Sequence, residues 1–245
     1  MLKSLINYLP KVIKNKIPGV GKKQITIPLI RLEGVIQAGS GGVQNNNRIN
    51  LQRFNPLFEK AFKMKNTPAV VLVINSPGGS PVQSSLIYKR LLNLKAKYEK
   101  TIHIFVEDVC ASGGYYIAAA GDDIIVDESS IVGSIGVVNQ AFGGKDLVEK
   151  IGLEPRLITA GRVKSQNNPF EEIKVEDQLR TKKTMNIVHS TFIDVVKEGR
   201  KNKLNTQIAM EFTKECNNEI EVSEGDGLFD GSYYEGIRAV ECGLA

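Results

Sequence analysis

AVVLVINSPGGSPVQSSLIYKRLLNLK, residues 69 to 95, reads as a strand, a glycine turn and a helix in direct succession. The run AVVLVIN (69–75) is continuously apolar and β-branched, the pattern of a strand buried on both faces rather than of a half-solvated one. Val82, Leu86, Ile87, Leu91 and Leu94 then recur at helical spacing, so the helix returns one apolar face to the strand it has just left. The next stretch repeats the pattern. TIHIFVE (101–107) is a second buried strand, and CASGGYYIAAAG (110–121) carries a glycine-rich turn into a short helix from about Ser112 to Ala120, stopped by Gly121.

Working outward, ITIPLIRLEGVI (25–36) reads as one or two strands, and Leu51, Phe54, Leu57, Phe58 and Phe62 fall on one helical face. Downstream, DIIVD (123–127), IVGSIGVV (131–138) and RLIT (156–159) are strand-like. Helices are expected near 175–199, with Met185, Val188, Phe192 and Val196 on one face, near 205–215 and near 232–242. Strands alternating with amphipathic helices define a layered α/β fold. No repeat or linker interrupts the chain, so residues 24–245 are read as a single domain behind an N-terminal extension, residues 1–23. GSGGVQNNN (39–47) is the expected mobile loop.

With 245 residues, 42% hydrophobic and 24% charged, the chain is long enough for a substantial core. Its net charge of +5 suggests nucleic acid only until it is located. Residues 1–23 hold six lysines and no acid, so everything after them sums to −1. With no Trp and no basic stripe in the body, nucleic-acid binding is set aside. Cys110, Cys216 and Cys242 are too scattered for a disulfide framework or a CxxC metal site, and His103 and His189 are too few for a histidine metal centre. No cofactor or metal is expected.

No run reaches the ~18 apolar residues of a membrane-spanning helix. In MLKSLINYLPKVIKNKIPGV (1–20), Leu2, Leu5, Ile6, Leu9, Val12 and Ile13 share a face, with lysines elsewhere. Such a helix suits the surface of an anionic membrane, on the cytoplasmic side, or equally a face of this protein or of a neighbouring subunit.

Three stretches carry more glycine and hydroxyl than packing needs. In NSPGGS (75–80), Gly78 and Gly79 leave two amides unobstructed at a strand-to-helix turn, where an anion or oxyanion can sit, although Pro-Gly turns are often only turns. Ser112, at the head of a helix, fits an N-cap. Gly113 and Gly114 fit that reading badly, because glycine weakens a first helical turn unless something must approach the backbone closely. An acyl group attacked by Ser112 would do so, with the Gly113 amide beside the developing oxyanion and Gly78 and Gly79 across the cleft. A serine nucleophile needs a base. His103 lies within a strand and His189 on an apolar helix face, and neither resembles a Ser-His-Asp relay. The third stretch, TAGRVKSQNNPF (159–170), offers Lys164, where an exposed loop lysine is the ordinary reading and a desolvated base the alternative, since burial lowers a lysine pKa from ~10.4 toward neutrality. Ser134, in VGSIGV (132–137), is available to orient its amine.

Taken in order, INSPGG, the ASGGYYIA run with Ser112, VGSIGV with Ser134 and GRVKS with Lys164 resemble the signal peptide peptidase A family. FIDVVKEGR (192–200) and GLFDGSYYEGIRAVECGLA (227–245) resemble its later segments, so the likeness runs from about 26 to 244. It implies a ClpP/crotonase-like layered fold of repeated ββα units. It also implies a Ser-Lys dyad with Ser112 as nucleophile, Lys164 as general base and then acid, Ser134 orienting the lysine, and an oxyanion hole drawn from Gly113, Gly78 and Gly79. The implied reaction is peptide-bond hydrolysis through an acyl-enzyme. The implied partners are unstructured or membrane-derived polypeptides, remnant signal peptides among them, and copies of the same chain in a ring, some relatives completing the dyad across subunits. Two other classes are compatible with the superfold, an acyl-CoA enzyme of crotonase type and a non-catalytic peptide-binding scaffold.

Overall fold

The computed structural model describes residues 25–39, 48–216 and 227–245. The basic segment 1–23 and nearly all of the Gly- and Asn-rich stretch 39–47 lie outside them, so the readings made there concern residues that are not described.

Strands β1 (Leu29–Glu33), β2 (Val35–Ile36) and β3 (Arg48–Ile49) lead into helix α1 (Leu51–Lys63). Strand β4 (Ala69–Ser76) and helix α2 (Pro81–Tyr98) form the first strand–turn–helix unit, and β5 (Thr101–Ala111) and α3 (Gly113–Ala118) form the second. Then follow β6 (Asp123–Ile125), β7 (Ile131–Gly133), α4 (Lys145–Lys150), α5 (Val175–Arg200), α6 (Thr206–Cys216), β8 (Tyr233–Glu235) and α7 (Gly236–Glu241).

The main sheet runs β1-β4-β5-β7-β8, parallel except for β7 with β8, and β6 pairs with the first half of β5. This layered α/β architecture is the one the alternating pattern predicts. β5 is longer than the apolar run that announces it: His103–Phe105 pairs with β6, and Val109–Ala111 pairs with β7. One strand therefore spans the sheet and delivers its last residue to a second set of neighbours.

Local signals explain the helix starts. Asn50 caps α1 by accepting from the Arg53 amide at 2.9 Å. Ser80 caps α2, with Pro81 in the first turn, where its missing N–H costs nothing. The two helices close one face of the sheet. Phe58, Phe62, Ile87 and Leu91 are fully buried there with Leu32, Leu72, Ile102 and Ile104, the burial that chiefly drives the fold.

Three expectations need correction. The closing helix does not begin at 232: Tyr233–Glu235 pairs antiparallel with β7, and the helix starts at Gly236. RLIT forms no strand, because no described strand lies beside it to pair with. On α5, Phe192 and Val196 are buried as expected, whereas Met185 and Val188 are only half-buried. No residue from 136 through 191 is buried, although the segment includes Phe142, 85% exposed, and Ile158, 97% exposed.

Candidate active site

Ser112 follows the end of β5 and precedes α3, with φ 51° and ψ −121°. A side chain rarely adopts that conformation, which costs on the order of 1–3 kcal/mol and persists only where the surroundings enforce it. The Ser112 amide donates to the Gly133 carbonyl at 2.8 Å, and its own carbonyl accepts from the Tyr116 amide at 3.0 Å. Ser112 stands at the N-cap position, yet its hydroxyl makes no capping hydrogen bond. The hydroxyl is left at a sharp strand-to-helix turn, the geometry that presents a nucleophile in other hydrolase folds.

The NSPGG turn lies directly against it. A Cβ at Gly78 would stand 2.8 Å from both the Gly113 nitrogen and the Ser112 Cβ. One at Gly113 would come within 3.3 Å of the Gly79 nitrogen, and one at Gly79, where φ is 141°, would overlap the Ile36 carbonyl. The three positions therefore need glycine so that two backbone segments can touch. They also differ in what their amides do. Gly78 donates to the Ser76 hydroxyl at 3.2 Å, whereas neither the Gly79 nor the Gly113 amide has a partner among the described residues. Two unpaired donors beside one uncapped serine make a place where a developing negative charge can be held.

A cavity of about 120 Å³ opens at this point, lined by Ser112, Gly113, Tyr116, Val138, Val188 and Phe192 among others. Its walls are mostly apolar, and it suits one small or aliphatic side chain. Tyr116 sits one helical turn beyond Ser112, its ring tilted against Phe192 with centres 5.1 Å apart, and its buried hydroxyl has no partner among the described residues. Of these lining residues the sequence singled out Ser112 and Gly113 for the site and Val188 and Phe192 only as a helix face, and gave Tyr116 and Val138 no role. The signal present was the one-turn spacing from Ser112 to Tyr116.

Ser134 comes close. It follows Gly133, which pairs with Ala111, so it lies beside Ser112 in the adjoining chain segment, with φ 52° and its amide donating to the Ser232 carbonyl at 2.7 Å. Lys164 lies in an exposed turn, its amide donating to the Gly161 carbonyl, and its ammonium has no ion pair or hydrogen bond among the described residues. Within one chain, no hydrogen bond joins Lys164 to Ser112 among the described residues.

The histidines stand as the sequence suggests. His103 lies nine positions before Ser112 on the same strand, about 30 Å away at the usual rise, and pairs with Asp123 at 3.1 Å. The His189 Nε2 donates to the Ile135 carbonyl at 2.9 Å. Cys110, two residues before Ser112, is fully buried, and burial pushes its thiol pKa far up, so it stays protonated and unreactive.

Known proteins similar to this chain are peptidases in the main. Residues 95–213 match Peptidase family S49. A protein of Enterococcus faecium that carries the name signal peptide peptidase SppA is 30% identical over 92% of this chain and 60% of its own length. A protein of Brucella melitensis named as the Na(+)/H(+) antiporter NhaA is 44% identical over 98% of this chain, the match covering 30% of that protein. The antiporter name is that protein's own and is not carried over, the match covering 30% of its length; among the described residues no helix is long and apolar enough to cross a membrane. Among solved structures, the 1510-N membrane-bound stomatin-specific protease aligns over 91% of this chain and 79% of its own, with 16% identity and a TM-score of 0.47. The chain thus spans between 30% and 60% of the length of these curated relatives.

Proposed function

The chain belongs to peptidase family S49, and from that premise we propose that it is a serine endopeptidase working through a Ser112–Lys164 dyad. The observation that carries the reading is Ser112 itself, held at φ 51° with an uncapped hydroxyl beside the unpartnered Gly79 and Gly113 amides. The neutral Lys164 amine takes the Ser112 proton as the oxygen attacks the substrate carbonyl. The Gly79 and Gly113 amides hold the resulting oxyanion, and the lysine then returns the proton to the departing amine. Water releases the acyl group by the same route in reverse. Ser134, next to Ser112, orients the amine.

Lys164 reaches Ser112 from a neighbouring copy in a homo-oligomeric ring. Two observations support this: the ammonium has no partner among the described residues, and 56 consecutive residues around it bury no side chain while presenting large apolar ones. A surface of that kind marks an interface. The substrate is an unstructured polypeptide placing a small or aliphatic side chain in the cavity, as a remnant signal peptide would. Residues 1–23, basic and amphipathic, hold the protein to the cytoplasmic face of the membrane.

The test is the rate of cleavage of a fluorogenic apolar peptide from pH 6 to 10 by the wild type, Ser112→Ala and Lys164→Ala. Activity rises with pH in the wild type and is absent from both variants. Mixing the two inactive variants under conditions that exchange subunits restores about a quarter of the wild-type rate if each dyad draws on two copies at random, and nothing if it is completed within one chain. A wild type that binds the peptide without cleaving it would favour the scaffold reading instead.

A further inference from the structure

We propose that Ser76 is a positioning residue for the oxyanion-binding amides, a role that rests on the serine-peptidase reading above. Ser76 ends β4 and is fully buried. Its hydroxyl works in both directions: it donates to the Gly34 carbonyl at 2.7 Å, where the chain passes from β1 to β2, and accepts from the Gly78 amide at 3.2 Å. The turn between β4 and α2 is thereby tied to a neighbouring strand connection through one side chain.

The same residue supports the opposite wall. A Cβ at Gly114 would stand 2.9 Å from the Ser76 carbonyl oxygen and 3.3 Å from its Cβ, so the first turn of α3 rests on Ser76 with no space to spare. The β4–β5 register shifts between Ile74 and Ser76, where Ser76 pairs with Cys110. Bulges of this kind re-aim a strand end, and this one sets Ser76 beneath the segment that carries Ser112. One buried residue thus touches both chains that contribute an unpaired amide, Gly79 on one side and Gly113 on the other.

The hydroxyl matters because the turn it holds is glycine on glycine. Gly78 and Gly79 have no Cβ to resist rotation of the peptide between them, and a rotated peptide would carry the Gly79 N–H away from the acyl oxygen. The Ile36 amide, donating to the Gly78 carbonyl at 2.8 Å, orients the peptide that carries the Gly79 N–H, and the Ser76 hydroxyl, by accepting from the Gly78 N–H, fixes the Pro77–Gly78 peptide from which that one continues. With its donor and acceptor both engaged and no surface exposed, Ser76 does not meet substrate itself.

The experiment compares Ser76→Ala with Ser130→Ala, which removes another buried hydroxyl, one that donates to the Glu107 carbonyl and touches neither glycine turn. Both should lower the unfolding midpoint. Ser76→Ala alone should lower kcat by about 10- to 100-fold, less than the roughly 100- to 1,000-fold loss when an oxyanion-hole donor is removed outright, and weaken a peptide boronate by the same factor, while KM changes little. Equal kcat losses in the two variants, or a loss confined to KM, would overturn the assignment. Should Ser76→Ala fail to fold, Ser76→Cys, which retains a weaker acceptor, is read by the same criteria. Hydrogen exchange of residues 76–80 gives a readout that needs no activity. Faster exchange there in the Ser76 variant of a protein that cleaves nothing would sink the peptidase reading and leave the anchoring intact. Unchanged exchange would sink the anchoring whatever the activity.

Discussion

Ser112 combines two costs that a purely structural residue would avoid, a left-handed backbone and a hydroxyl with no capping partner. Replacing it with glycine should therefore abolish cleavage and still raise the unfolding free energy by about 1 kcal/mol, the relief of backbone strain less glycine's greater chain entropy; thermal unfolding of the two proteins side by side measures this. Asp122 is a different kind of residue. Burial alone would raise its pKa, but hydrogen bonds from Lys95 at 2.6 Å and from the Ile102 amide at 2.8 Å outweigh that and hold the carboxyl below its ordinary value. A carboxylate depressed on folding stabilises the fold above its unfolded pKa, near 4, and loses that contribution as pH falls through the lower folded value. Asp122→Asn should accordingly lower stability at pH 7 and flatten its decline below about pH 4, as followed by urea unfolding at each pH.

The element that organises the site is β5. Eleven residues long, it pairs with β4 along its length, with β6 through its first half and with β7 through its second, so Ser112 is fixed by strands on both sides. The helices behind that sheet bury their apolar faces against it. Phe58 of α1 is fully buried and stacks with Phe54, ring centres 6.0 Å apart. Phe58→Ala should cost about 3–5 kcal/mol, read by denaturant midpoint, with kcat per folded molecule nearly unchanged because the cavity at Ser112 lies on other elements. The strand–turn–helix units were plain in the sequence, since β-branched runs, glycine turns and helical stripes are local signals. β8 was not, because Tyr233–Glu235 becomes a strand only by meeting β7, a pairing about a hundred residues away along the chain.

At the scale of the molecule, one stretch contributes no buried side chain to the core. Residues 136–191 include Phe142, Ile158 and the first half of α5, and bury nothing within the chain. Ile158→Asp should shift the particle toward monomers in sedimentation and reduce peptide cleavage in parallel, while leaving the unfolding midpoint of the monomer nearly unaltered, because a 97% exposed side chain contributes nothing to its core. A fall in the midpoint as large as that of Phe58→Ala would show instead that the segment belongs to the core.

Sequence alone determined the α/β layering, the order of the main helices and strands, and the three stretches rich in glycine and hydroxyl, because each depends on periodicity or on residue types that act over a few positions. It also indicated that His189 packs rather than reacts, a reading its bond to the Ile135 carbonyl bears out. Only the tertiary structure decided which amides are free, since Gly78 and Gly79 are indistinguishable as letters until the Ser76 hydroxyl takes one of them. Only it separated Ser134, set beside Ser112 by strand pairing, from Lys164, which no hydrogen bond joins to Ser112 among the described residues. The reason is the same in each case: hydrogen-bond satisfaction and approach across strands depend on residues far apart in sequence, and no local pattern encodes them.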